Sequence, residues 1–178
     1  MNTGKSDIVN KVFFGVIFSA MFFISCVFVP AIRVSGEMNA VCADLLFALS
    51  IVSGILYPNR KAASVFALVF GVLSDIFLTP PIHLSPVLFF FSAYYASKTV
   101  GVFTKTNAVT AAVSSIPFFL IRSVVGCIYI VSESNDMGLG NVIKRITLPE
   151  LAFNVTSVFF VYIIVSFIYK KVKRRFFI

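Results

Sequence analysis

Six predominantly apolar runs of about 17 to about 23 residues, parted by short basic spacers, dominate this chain. A membrane-crossing helix needs roughly 20 such residues, and a tilted or bundled one about 17, to cover about 30 Å of hydrocarbon. The runs are residues 12–29, 40–57, 62–78, 84–100, 108–130 and 148–169. This pattern predicts an all-α, polytopic membrane protein of six transmembrane helices, a single integral domain over 1–178 with a basic tail at 170–178. The fourth run has Pro86 at its start and Lys98 near its end, so a half-inserted segment stays open there.

Composition agrees. The chain is 59% hydrophobic and 12% charged, with a mean hydropathy of +0.99, whereas soluble domains are about 45–50% apolar and about 25% charged. A net charge of +8 would suggest nucleic acid in a soluble chain, but here the basic residues sit in spacers and a terminal run between apolar segments. A lipid environment accounts for them and no nucleic-acid partner is expected. Cys26, Cys42 and Cys127 fall singly inside apolar segments, without the close spacing of a disulfide framework or metal site, and read as packing residues. The 22 phenylalanines read as lipid-facing or packing bulk.

Orientation follows from lysine and arginine, which cytoplasmic loops hold in excess. With the N-terminus inside, the cytoplasmic pieces carry Lys5 and Lys11, Arg60 and Lys61, Lys98 and Lys105, and finally Lys170, Lys171, Lys173, Arg174 and Arg175. The outer loops hold Arg33, Lys144 and Arg145 beside Glu37, Glu133 and Asp136. Both termini are therefore expected in the cytoplasm, and an even number of spans favours six over five. Tyr57, Tyr129 and Tyr169 fall where interfacial rings would sit. The first run also has the outline of a signal peptide, and Phe23 to Cys26 loosely resembles a lipoprotein cleavage box, but the chain after it would still be polytopic.

A charge inside a membrane helix costs at least about 2.5 to 3.5 kcal/mol, so it usually faces a partner or a wet cavity. Asp44, Asp75, Arg122 and Glu150 are such charges. At 1.5 Å per residue, Asp75 and Arg122 each lie about 20 Å above the cytoplasmic starts of their helices, Asp44 about 6 Å below the outer end of its own, and Glu150 at an outer start. All four fall in the outer half of the bilayer. This common depth suggests a polar layer in which Arg122 neutralises Asp75 or Asp44 by a charge-assisted pair. Asn154, four residues after Glu150, shares its helix face and adds an amide. Pro117 is placed to bend the fifth helix below Arg122. For Glu150 and Asp44, snorkelling to the interface is the plainer alternative. For Asp75 and Arg122, a structural ion pair and a ligand or partner contact both stay open.

Catalysis has less support. The cytoplasmic half lacks the chain of titratable groups that a proton relay needs, and no nucleophile with an adjacent base, H-E-x-x-H or G-x-S-x-G stands out. His83, in the outer loop "TPPIHLSP", has no suitably spaced ligand partner and reads as a hydrated loop residue. No enzyme, cofactor or metal is expected. Gly15 and Ser19 form a small-x-x-x-small pattern that would let a helix approach the first span.

The order of these features resembles a known family. The stretch from Ala43 to Lys98, with Asp44, Leu45 and Leu46, then Arg60 and Lys61, then Gly71 and Asp75, then Pro80 and Pro81, is similar to the core of MreD, the bacterial rod shape-determining membrane protein family. Pro149, Glu150 and Asn154 ahead of a basic tail resemble that family's last helix, so the likeness runs from Asn39 to Phe176. The chain departs from the pattern in the loop "TPPIHLSP", where a glycine is usual, and at Ala43, where a proline is. The resemblance implies a non-enzymatic component of the cell-elongation machinery, in the bacterial cytoplasmic membrane. Its implied partners are MreC, MreB, RodA and a class B penicillin-binding transpeptidase. It also implies a fold similar to the substrate-binding subunits of energy-coupling-factor vitamin transporters, and such a subunit is the alternative function. The first span lacks the Ala-x-x-x-Ala face that the transporter reading would want. The tail adds an expected attraction to anionic lipid.

Overall fold

A computed structural model of the chain describes residues 3–33, 44–77, 84–103, 106–133 and 148–177, with side chains placed for 7–27, 44–77, 84–103, 106–128 and 150–175. Six helices account for nearly all of the described residues: α1 (Thr3–Arg33), α2 (Leu45–Leu56), α3 (Arg60–Phe77), α4 (Ser85–Val100), α5 (Ala108–Glu133) and α6 (Leu148–Phe177). Each covers one of the apolar runs. The fourth run is one continuous helix, because Pro86 lies in its first turn, where a missing N–H costs nothing.

Local chemistry sets the boundaries. Pro58 biases Tyr57 to the extended conformation it adopts and so ends α2, and the Asn59 carboxamide oxygen then caps α3 by accepting from the amides of Lys61 (3.1 Å) and Ala62 (3.3 Å). Asn107 and Thr110 cap α5 reciprocally, each side-chain oxygen accepting the other's backbone N–H at 2.8 and 2.9 Å.

The helices differ in length, and that difference organises the bundle. Three contain a stretch long and apolar enough to cross a membrane: Asp7–Val27 of α1, Ala108–Ile128 of α5 and Glu150–Arg175 of α6. By contrast α2 has 12 residues, a rise of about 18 Å. Its brevity goes with its position. It packs against every other helix, and all residues from Leu46 to Gly54 are buried, so α2 is apolar all round because it has no lipid-facing side. Around it, α1, α3, α5 and α6 turn Val16, Phe23, Val65, Ile76, Val124, Phe160 and Phe167 outward, the lipid face of a membrane bundle.

Small residues let α2 and α4 meet. A Cβ on Gly54 would strike the Ala93 carbonyl, and the Ser50 and Ser92 hydroxyls lie 2.8 Å apart across the same interface. A Cβ on Gly71 would come within 2.7 Å of Pro86 Cα, so α3 and α4 cross equally closely. The pattern expected to do this, Gly15 with Ser19, does not: the nearest atom to a Cβ at Gly15 is a Phe66 ring carbon at 3.7 Å, an ordinary contact. Large rings separate α1 from α3 instead, with Phe18 stacked on Phe70 at 5.1 Å.

Two interfacial expectations are also corrected. Tyr57 and Tyr169 are only 3% and 9% exposed, and both pack on Phe14 in the core. They are buried because the N-terminal part of α1 and the C-terminal ends of α2 and α6 converge there, where the Tyr169 hydroxyl donates to the Asn10 side-chain oxygen at 3.1 Å. Cys42, His83, Lys144 and Arg145, and the side chains of Arg33, Tyr129 and Glu133, lie outside the described residues.

Candidate functional site: a polar node at the N-terminal end of α2

Asp44 is the N-cap of α2, and three helices meet on it. Its Oδ1 accepts the Phe47 amide at 2.9 Å, which closes the first turn of α2. Its Oδ2 pairs with Nη2 of Arg122 from α5. Its backbone N–H donates to Oδ1 of Asn154 from α6 at 2.8 Å. A fourth helix joins through Arg122, whose guanidinium lies over the rings of Phe47 (4.9 Å) and, from α4, Phe89 (5.6 Å). Those two rings touch at 5.2 Å, and the Ser50–Ser92 contact follows one turn below them.

Burial makes these contacts count. The Arg122 and Asp44 side chains are 14% and 19% exposed, and Asn154 is 1% exposed. Asn154 is buried despite being polar because it answers the Asp44 backbone amide, a donor that the helix itself leaves unsatisfied. A side chain so enclosed does not serve as a glycosylation acceptor.

Of the five residues singled out from spacing, four meet here. Arg122 had two carboxylates open to it by depth, and the structure joins it to Asp44. Glu150 is half-buried in the first turn of α6 and feels the charges of both Arg122 and Asp44, although no ion pair joins it to either among the described residues. Asp75 stands apart. It is half-buried near the end of α3, and among the described residues it has no ion pair. Pro117 is exposed within an uninterrupted α5.

Sequence reasoning missed Phe47 and Phe89, the rings that hold the guanidinium. No local signal marks them among so many phenylalanines. It also missed a second polar cluster where the N-terminal part of α1 meets the C-terminal ends of α2 and α6. There Asn10 and Tyr169 are bonded, Asp7 pairs with Lys11 at 2.7 Å, and the Asp7 carboxylate acts on the enclosed Tyr57 hydroxyl. Asn10 was legible in principle, as a polar residue one turn ahead of Phe13 and Phe14 in the first apolar run.

Comparison with known proteins is consistent with the order of motifs. No curated protein and no solved structure matches the chain. The family of the rod shape-determining protein MreD matches over residues 6–172, which takes in α2 to α5, most of α1 and α6, and the whole polar node. The chain therefore belongs to the MreD family of rod shape-determining membrane proteins.

Proposed function

We propose that this protein is a non-enzymatic scaffold of the bacterial cell-elongation machinery, a six-span protein of the cytoplasmic membrane with both termini inside. In this reading its outer polar node fixes the helices in register and offers a surface to a membrane-anchored partner. The observation that carries the reading is the commitment of Asp44: one residue caps α2, pairs with α5 and bonds to α6. A carboxylate with one oxygen on the Phe47 amide and the other on Arg122 holds structure and is poorly placed to move protons or attack a substrate. Family membership supplies the setting, and the resemblance implies MreC, MreB, RodA and a class B penicillin-binding transpeptidase as partners.

The three short helices are part of this reading. A rise of about 18 Å for α2 spans less than the about 30 Å of hydrocarbon, and its longer neighbours α1, α5 and α6 cover the rest. The basic residues at the exposed end of α6 and at Arg60, Lys61 and Lys98 support cytoplasmic termini by the positive-inside rule.

Affinity capture of the full chain from its native membranes tests the proposal. Recovery of MreC or a wall synthase is expected. Recovery of a vitamin together with an ATPase transducer would instead establish the transporter subunit, for which no observation here argues.

A further inference from the structure

At the end of the bundle where α2 turns into α3, positive charge gathers without an answer among the described residues. Arg60 and Lys61 are exposed in the first turn of α3, which contains no acidic residue. That is the unfavourable end of a helix for them, because the macrodipole places about half a positive charge there and favours anions. Asn59 fixes the placement: its carboxamide caps the helix through the Lys61 and Ala62 amides, and the two bases follow it directly. Asp7 is the one carboxylate at this end among the described residues, and Lys11 already engages it at 2.7 Å.

Lys98 of α4 stands at the same level. Helices α2 and α4 run parallel and in step, with Phe47 touching Phe89 and Ser50 meeting Ser92. Carried to the end of α2, the same step sets Lys98 level with Leu56, at the turn that leads into Arg60. Helix α3 then packs back along α4, with Gly71 against Pro86. Lys61 heads the exposed stripe of Val65 and Leu68 on α3, and Lys98 ends that of Phe91 and Tyr95 on α4. The Lys98 ammonium is held in place: it lies over the Tyr95 and Tyr94 rings at 5.0 and 5.8 Å, and these stack on Phe91 and Phe90. Ring faces position a cation without neutralising it.

We infer that this end of α3 and α4 binds the phosphate of an anionic phospholipid, with Arg60 and Lys61 on one side and Lys98 on the other. Charge decides the ligand class. Three cations and a helix N-terminus, with no free carboxylate beside them among the described residues, call for an anion, and phosphate takes charge-assisted bonds from both arginine and lysine. The rings decide the source. A soluble anion has no use for the ladder of Phe90, Phe91, Tyr94 and Tyr95 that leads along α4 from Lys98, whereas a lipid sets its headgroup at the tyrosines and its acyl chains against the phenylalanines. The site is separate from the basic tail, which belongs to α6. The inference rests on the proposed membrane setting and not on the scaffold role, since lipid preference can fail while capture of MreC succeeds, and the reverse.

The test uses the full chain with Lys170, Lys171, Lys173, Arg174 and Arg175 changed to Gln, so that the tail does not contribute. Native mass spectrometry from detergent compares bound dioleoyl-phosphatidylglycerol with dioleoyl-phosphatidylcholine supplied in equal amounts. The anionic lipid is expected to be favoured about fivefold or more. Arg60→Gln with Lys61→Gln, and separately Lys98→Gln, should each cut that preference about threefold or more, and leave the lipid-free unfolding midpoint unchanged because all three side chains are exposed. Tyr94→Leu with Tyr95→Leu keeps every charge and should cut it too, while Lys11→Gln, at the same end but engaged by Asp7, should not. In the chain with its own tail, the three base changes together should remove one bound anionic lipid from the count. Equal binding of the two lipids would overturn the inference. A preference that survived the tyrosine changes, or fell equally with Lys11→Gln, would mean a diffuse positive field and would overturn it as well. So would displacement of the lipid by inorganic phosphate or hexaglutamate at a matching concentration, which would make a soluble anion the occupant.

Discussion

Asp44→Asn isolates the ion pair from the other tasks of Asp44. Asparagine caps helices as well as aspartate does, and the N–H that reaches Asn154 belongs to the backbone, so both bonds survive the change. What is lost is the charge opposite Arg122. Breaking a buried pair by removing one partner costs about 3–5 kcal/mol, because the other charge is left uncompensated. Here both side chains retain some exposure, and Arg122 keeps the faces of Phe47 and Phe89, so the expected cost is about 2–3 kcal/mol. Arg122→Met should cost a similar amount by stranding Asp44. The double variant is neutral at this position, and its loss should fall short of the sum of the singles by at least about 1.5 kcal/mol. Glu150 sharpens the test. It feels the Arg122 charge and partly compensates for a missing Asp44, so Asp44→Asn should cost more in a Glu150→Gln background than in the unaltered protein. The measurement is the folded fraction in detergent against temperature or denaturant. Additivity of the two single changes to within about 0.5 kcal/mol would refute the direct pair.

Other changes probe the rest of the bundle in the same assay. Gly54→Ala should destabilise by about 1–3 kcal/mol, because its Cβ meets the backbone of α4, while Gly126→Ala, with nothing within 4 Å, should gain up to about 1 kcal/mol from helix propensity; equal effects would dismiss the close crossing. Tyr169→Phe loses the bond to Asn10 and should cost about 1 kcal/mol, read as a lower unfolding midpoint. Asp75→Asn should leave the midpoint unchanged or raise it, since no ion pair is broken among the described residues and a charge leaves a membrane helix; a loss as large as that of Asp44→Asn would place Asp75 in an unrecognised pair. Replacing Lys170, Lys171, Lys173, Arg174 and Arg175 by Gln should weaken association with anionic vesicles by up to about 1 kcal/mol per residue, read by flotation at two salt concentrations.

How much of this was legible beforehand divides along the range of the interactions. The six helices were readable because length, apolarity and breakers such as Pro58 and Pro86 act over a few residues. Rise per residue is constant whatever the neighbours do, so spacing put Asp44, Asp75, Arg122 and Glu150 at one level, yet the structure joins only Asp44 and Arg122 of these four directly. Depth along a helix is a one-dimensional quantity. Rotation about the helix axis and the choice of neighbour are not, and they decided the rest. Depth alone left Arg122 with two carboxylates, and only the packing of α5 beside α2 selected Asp44. Tyr57 and Tyr169 sit at the ends of apolar runs as belt residues do, yet the convergence of α1, α2 and α6 buries them. Gly15 has the spacing of a crossing point but faces the Phe66 ring, while Gly54 and Gly71, each four residues after a small residue (Ser50 and Ala67), make the close approaches, so the spacing alone does not say which face meets a neighbour. The sequence by itself determined that this chain makes apolar helices fit for a membrane and where along each helix its charges stand. The tertiary structure decided which helix lies at the centre and which carboxylate answers the arginine, because these depend on which faces meet.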